Sequence, residues 1–209
     1  MVIADFGSGE TCHNDPEEVR RMIDGLAAVD PKRKAVIKWQ LFMPETVPYC
    51  EPLFARTFFS ALHYASDMGY RTTASVFDEW SLDYLLGFDI PFVKVAARDW
   101  CYPLIDKVPR GVKVIVSVFD EPSFLQMVYT QNCDIMVCVP KYPATAAEYE
   151  KRFLSIDLDD GISDHTPDLT LWRKYKPAVY ERHFKLPDST GKDSGDFAST
   201  PDVWKEILA

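Results

Sequence analysis

The chain has 209 residues, 47% of them hydrophobic and 26% charged, a balance ordinary for a globular protein and large enough to bury a full core. Its formal charge of −9 argues against nucleic acid and anionic membrane as main partners, while leaving room for a locally basic site that binds a small anion. Five cysteines, an odd number without a C-x-x-C pair, read as reduced thiols in a cytoplasmic protein; no leader and no apolar stretch of bilayer length is visible.

Along the chain, β-rich runs alternate with helical ones. "VIADFGS" (residues 2–8) is followed by "DPEEVRRMIDGLAAV", which has an aspartate cap, proline at the first helical position and apolar residues at helical spacing. "AVIKWQLF" (35–42) precedes the longer, more apolar "EPLFARTFFSALHYASDMG". "TTASVFD" (72–78), "FVKVAA" (92–97), "KVIVSVFD" (113–120) and "DIMVCVP" (134–140) come next. Between and after them, "DEWSLDYLLG", "WCYPLIDKV", "EPSFLQMVYTQN" and "AAEYEKRF" read as short helices. "GISDHT" (161–166), "DLTLWRKY", "AVYERHF" (178–184) and a closing "TPDVWKEILA" complete the pattern. Eight strand–helix units predict an α/β fold, a compact (β/α)8 TIM barrel, with residues 1–209 as a single domain; an open doubly wound sheet is the competing arrangement. The Gly/Ser/Asp-rich residues 186–201 after the eighth strand form a long βα loop. They are expected to be mobile when the site is empty and to close over it on binding, as the one long connection able to do so.

In such a barrel, chemistry sits at the C-terminal strand ends. The candidates there are Asp5, Lys38 and Gln40, Ser75 and Asp78, Lys94, Arg98 and Asp99. Ser117, Lys141 and Tyr142, Ser163 to His165, Glu181 and His183 follow on the later strands. Two inward lysines need anionic partners. Asp5 and Glu181 could supply them, or a bound phosphate or carboxylate held together with Ser75 and Ser117. Replacing either lysine by Met is expected to weaken anion binding with little loss of folding. His165 and His183, two of only four histidines, fall on neighbouring strands about 4.8 Å apart and could share a divalent ion.

The ordered set "IADFG", "KWQLF", "SVFD", "VKVAARD", "VIVSV", "KYPA", "GISDHT" and "ERHF" resembles the strand-end motifs of the sialic acid synthase family, the phosphoenolpyruvate-dependent synthases of N-acetylneuraminate and related acids. The resemblance implies a (β/α)8 barrel that condenses phosphoenolpyruvate with an aldehyde sugar, using a divalent metal, manganese or another such as magnesium. It further implies catalytic roles for Asp5, Lys38 and Lys94, and metal ligation by His165 and His183. By the same comparison, Ser75, Ser117 and Ser163 would contact phosphoenolpyruvate, Gln40 and Tyr142 the sugar, and Asp193 both metal and sugar, with Asp196 as the alternative. A homodimer is among the states it allows. The departures are specific. Asp5 replaces a glutamate, Ala97 a serine and Arg98 a glycine, and "GSGETCHND" is longer than the family's turn. The sequence also stops after the eighth helix, so a compact form without the small antifreeze-like domain is expected. A noncatalytic ligand-binding relative and a different metal-dependent barrel aldolase or lyase stay open at this point.

Overall fold

The computed structural model describes residues 1–119, 133–153 and 161–209. Eight parallel strands close into a barrel in chain order. They are β1 (Val2–Asp5), β2 (Ala35–Leu41), β3 (Arg71–Val76), β4 (Val93–Val95), β5 (Val114–Val118), β6 (Asp134–Cys138), β7 (Ile162–Asp164) and β8 (Tyr180–His183). Each expected strand is present, most of them shorter at the C-terminal end than the β-rich run suggests. The residues beyond that end have left the ladder to form the mouth. Around the barrel run α1 (Gly9–Cys12), α2 (Pro16–Val29), α3 (Ala55–Asp67), α4 (Glu79–Leu85), α5 (Ala146–Phe153), α6 (Thr170–Tyr175) and α7 (Pro201–Leu208).

Local chemistry explains several boundaries. Asp15 caps α2 by accepting from the Glu17 amide, with Pro16 in the first turn, where its missing N–H costs nothing. Asp78 and Ser81 form a reciprocal capping box on α4. The Asp78 carboxylate also accepts from the Met43 amide and the Thr46 hydroxyl, so it anchors the loop after β2. It is therefore a structural strand-end acid. Residues 99–107 form a 3-10 helix around Pro103 instead of an α-helical unit, as expected where a proline lacks the amide for an i→i−4 bond. The expected helix at 121–132 lies outside the described residues. The one-turn α1, capped by Ser8, had no periodic signal to announce it.

The period-two alternation divides the barrel wall. Outward residues such as Ile37, Trp39, Val95, Val116 and Val137 pack under the helices in the main core. Inward residues Ile3, Val36, Phe92, Ile115, Met136 and Val179 form a separate apolar plug at the bottom of the lumen. The next inward layer is polar. Register places Asp5 beside Lys38 and His183, Gln40 beside Ser75, Ser75 beside Lys94, and Ser163 beside Glu181. The plug keeps water out from below, so that layer meets solvent only through the mouth.

Behind the wall, between β7 and β8, lies a second buried polar group. Arg182 Nη1 is 3.2 Å from Asp164 Oδ2, with both side chains essentially inaccessible. Asp164 also accepts from the Tyr180 hydroxyl at 2.6 Å and from the Thr166 amide and hydroxyl, and Arg182 Nε donates to Ser199. This network braces the two strands that carry His165 and His183. Removing one partner of a buried ion pair costs about 3–5 kcal/mol, because the other is left uncompensated. Arg182→Met should therefore lower unfolding stability by about that amount, measured by urea denaturation followed by circular dichroism.

Candidate active site

A cavity of about 330 Å3 opens at the C-terminal mouth. Its wall includes the eleven residues to which the resemblance assigns a site role, Asp5, Lys38, Gln40, Ser75, Lys94, Ser117, Tyr142, Ser163, His165, His183 and Asp193, while Asp164, another strand-end candidate, lies behind the wall beside Arg182. Asp196, the alternative loop aspartate, is exposed and away from the cavity. Asp78 and Asp99 do not line it either, and Lys141 turns outward to pair with Glu148 at 2.8 Å.

The two lysines are not equivalent. Lys38 Nζ lies 2.7 Å from Asp5 Oδ2 and 3.6 Å from Glu181 Oε2, and donates to Ser75 Oγ at 2.9 Å. Burial works against its charge, yet Asp5 and Glu181 outweigh it and hold its pKa above the ordinary lysine value. Asp5 is the counterpart. Burial disfavours its carboxylate, but Lys38 and His183 outweigh burial and hold it well below the usual range. Its oxygens also accept from the Gly7 amide at 3.0 Å and from Gln40 Nε2 at 3.3 Å. Lys94, by contrast, donates to Ser117 Oγ at 2.5 Å and has no carboxylate partner among the described residues. Burial pulls its pKa down. Both lysines line the one cavity. Lys38 is paired with Asp5 and Glu181, and Lys94 has no carboxylate within ion-pair distance among the described residues. Ser163 donates at 2.8 Å to Glu181, the acid it shares with Lys38.

His165 and His183 stand side by side, with ring centroids 5.7 Å apart. His165 Nδ1 is 2.8 Å from the Val139 carbonyl, which fixes the proton on Nδ1 and leaves the Nε2 lone pair toward Ser163 Oγ, 3.5 Å away. Burial, reinforced by the neighbouring His183, pushes its pKa down to about 3, so the ring is neutral, the form that ligates metal. His183 Nε2 lies 3.4 Å from Asp5 Oδ2, and its buried Nδ1 has no hydrogen-bond partner. A carbonyl-backed neutral imidazole beside a second imidazole with an unsatisfied nitrogen suits a shared divalent ion. Among the described residues no group of three or more His, Cys, Asp or Glu side chains is arranged around one ion. His165, His183 and Asp193 all line the one cavity, with the Asp193 carboxylate hydrogen-bonded to Ser8.

Asp193 is engaged elsewhere. Its Oδ2 accepts from the amide and hydroxyl of Ser8, each at 3.0 Å. Gly7, at φ 73°, has no Cβ because one would sit 2.6 Å from that same oxygen. The loop that carries Asp193 is docked, not free. Lys192 donates to the Tyr49 carbonyl, His13 Nε2 meets Thr190 Oγ1 at 2.9 Å, and Phe197 packs edge-on to His183 at 5.0 Å. His13 thereby serves the loop and does not line the cavity. Residues 186–201 are also not alone over the mouth. The long connection 42–54 contributes Val47, Tyr49 and Cys50 to the same wall, correcting the expectation of one covering segment. Sequence reading missed Phe197, and it missed Tyr149, whose hydroxyl donates to the Ser163 carbonyl at 2.5 Å and accepts from the His165 amide at 3.0 Å. Neither lies at a strand end or in one of the motifs that mark the other site residues.

The mouth of this closed (β/α)8 barrel brings together two buried lysines and two adjacent imidazoles at the C-terminal strand ends, where barrel enzymes carry their chemistry. The NeuB family model matches residues 53–209, and the chain belongs to that family. N-acetylneuraminate-9-phosphate synthase of Mus musculus is 28% identical over 158 residues, covering 65% of this chain and 43% of the relative. The chain therefore spans less than half the length of that curated relative. Among solved structures, the N-acetylneuraminic acid synthetase of Leptospira borgpetersenii serovar Hardjo-bovis superposes with a TM-score of 0.79 at 19% identity, over 99% of this chain and 80% of that one. The spore coat polysaccharide biosynthesis protein SpsE of Bacillus subtilis does so with 0.75 at 22% identity, over 100% and 66%. These likenesses show the shared barrel.

Two variants test the charge arrangement. Lys38→Met leaves Asp5 and Glu181 facing one another and should cost about 3–5 kcal/mol of stability. Lys94→Met removes a buried, unpaired cation and should leave stability unchanged or raised. Urea unfolding of the two variants against wild type measures the contrast. This replaces the expectation that both substitutions spare folding.

A third variant tests the loop. Gly191 has φ 90°, and a Cβ there would lie 1.9 Å from the Glu10 carbonyl. Gly191→Ala should undock the segment without unfolding the barrel, seen as faster proteolytic cleavage within 186–201 at unchanged circular dichroism.

Proposed function

We propose that the protein is an enzyme that joins phosphoenolpyruvate to an aldehyde sugar, giving a sialic-acid-like 2-keto acid and phosphate. Residues 1–209 are taken as one catalytic barrel acting in the cytoplasm. The observation that supports this most directly is the convergence of an unpaired buried Lys94, its Ser117 partner, and the His165–His183 pair on one cavity. The relatives' names point the same way, since both the mouse and the Leptospira protein are synthases of sialic acid or its phosphate.

In this reading Lys94 and Ser117 hold an anionic end of phosphoenolpyruvate so that its C3 faces the aldehyde carbon, turning an encounter into a positioned reaction. Gln40, Tyr142 and Asp193 face the sugar from the mouth. His165 and His183 would hold a divalent ion, manganese in the first instance, which when bound polarises the aldehyde oxygen and takes up its developing charge. C3 bonds to the aldehyde carbon, water adds at C2, and the C2–O bond to phosphate breaks. Asp5 is the carboxylate nearest this chemistry. With Lys38, Gln40 and the Gly7 amide all directed at it, it has little capacity to take a proton. Its role is to orient the water, and Lys38 fixes it for that task.

Phosphate release from phosphoenolpyruvate, measured with a panel of aldoses, decides the reading. Release should need both substrates, disappear with a chelator and return with Mn2+. His165→Ala and His183→Ala should each lower the rate by about 100-fold or more. Absence of release with every aldose, at saturating metal, would refute the assignment.

A further inference from the structure

Arg98 is the second cation of the cavity wall with no use assigned to it. It follows the polar end of β4 by three residues and is half-buried. Its Nη1 donates to the Ala97 carbonyl at 2.8 Å, which folds the side chain back over the mouth. It has no carboxylate partner among the described residues, although Asp5, Glu181 and Asp193 line the same cavity. Asp5 and Glu181 lie against Lys38, and Asp193 accepts from Ser8. Lys94 shares the condition of Arg98: it is 2% exposed, with only neutral oxygens near its Nζ. The two charges occupy one neighbourhood. Burial raises the Cys138 thiol to about 12, and Lys94 and Arg98 both oppose that rise. One side of the mouth thus carries two cations, four residues apart along the end of one strand, neither with a carboxylate within ion-pair distance among the described residues. A guanidinium adds what a lysine lacks, a planar fork matched to the oxygens of a phosphoryl group.

We propose that Arg98 is a phosphate-binding residue, which with Lys94 grips the phosphoryl group of the anionic substrate. The proposal deepens the reading of this site as one for phosphoenolpyruvate and rests on it for that substrate. Its own claim, an Arg98-dependent phosphate site, can be tested apart from it.

The experiment is calorimetric titration of inorganic phosphate, phosphoenolpyruvate and pyruvate into wild type, Arg98→Met and Arg98→Lys at constant ionic strength. Wild type should bind phosphate and phosphoenolpyruvate. Arg98→Met should weaken both by about 10- to 100-fold, the range for a charge-assisted hydrogen-bonded contact, and leave pyruvate within about twofold. Arg98→Lys should restore part of the loss, charge without the fork. Equal phosphate affinity in wild type and Arg98→Met overturns the proposal, as does a loss for pyruvate as large as that for phosphate, or a wild type that binds no phosphate. A wild type that binds phosphate through Arg98 and yet does not bind phosphoenolpyruvate upholds the proposal and refutes the substrate reading. The side chain is half-exposed, so both variants should keep the wild-type unfolding midpoint.

Discussion

The structure depends on how a sealed lumen accommodates charge. An apolar plug of Ile3, Val36, Phe92, Ile115, Met136 and Val179 closes the barrel from below. Directly above it, Lys38 is 2% exposed and cannot reach bulk water. An isolated ammonium in that position would be prohibitive. The Asp5 and Glu181 carboxylates on either side make it tolerable, and because they sit on β1 and β8 the pair also ties the first strand to the last. Closure of the barrel and charge balance are thus one constraint. These acids lie against Lys38, whereas Lys94 has no carboxylate within ion-pair distance among the described residues, so charge is balanced closely on one side of the mouth and only at longer range on the other.

The mouth itself is built by close backbone approaches. Gly7 lets the Asp193 carboxylate descend onto Ser8, and Gly191 lets the loop at 192–194 lie against Glu10. Neither approach tolerates a side chain, and both glycines hold positive φ. Over them Tyr142 and Phe197 form an aromatic edge, 4.9 Å between centroids, with Tyr142 4.2 Å from the His165 ring. These rings narrow the opening above the imidazoles. Exclusion of water there would strengthen every electrostatic contact below.

Most of this was legible in the sequence for a geometric reason. Strand side chains alternate, so of two neighbouring polar residues at a strand end only one points into the lumen. Lys38, Lys94, Ser117 and His183 are strand-end polar residues that the cavity contains, whereas Asp164, a strand-end candidate of the same kind, faces Arg182 behind the wall. What stayed hidden depends on partners distant in the chain. Nothing near Asp78 says that it anchors Met43 and Thr46, and nothing near Arg182 says that Asp164 and Ser199 await it behind the wall. The division of labour between the two lysines was equally invisible. It depends on which carboxylates lie across the lumen, a property of register. The contacts that residues 186–201 make with Ser8, His13 and Tyr49 are not readable from a Gly/Ser/Asp-rich composition, which signals turn-forming capacity and names no partner.

Asp5 shows how a one-methylene departure fits this scheme. Asp5 stands where the family resemblance has a glutamate, one methylene longer. In the structure that short side chain puts Oδ2 at 2.7 Å from Lys38 and 3.4 Å from His183, and Oδ1 on the Gly7 amide. A longer acid on the same strand would extend past these donors toward the mouth. The shorter one is drawn into the charge layer, where it links the lysine, the imidazole pair and the glycine turn that receives Asp193. Its contribution is therefore positional. It couples the barrel's internal charge balance to the orientation of His183, so that the anion side and the imidazole side of the mouth are held in register by one carboxylate.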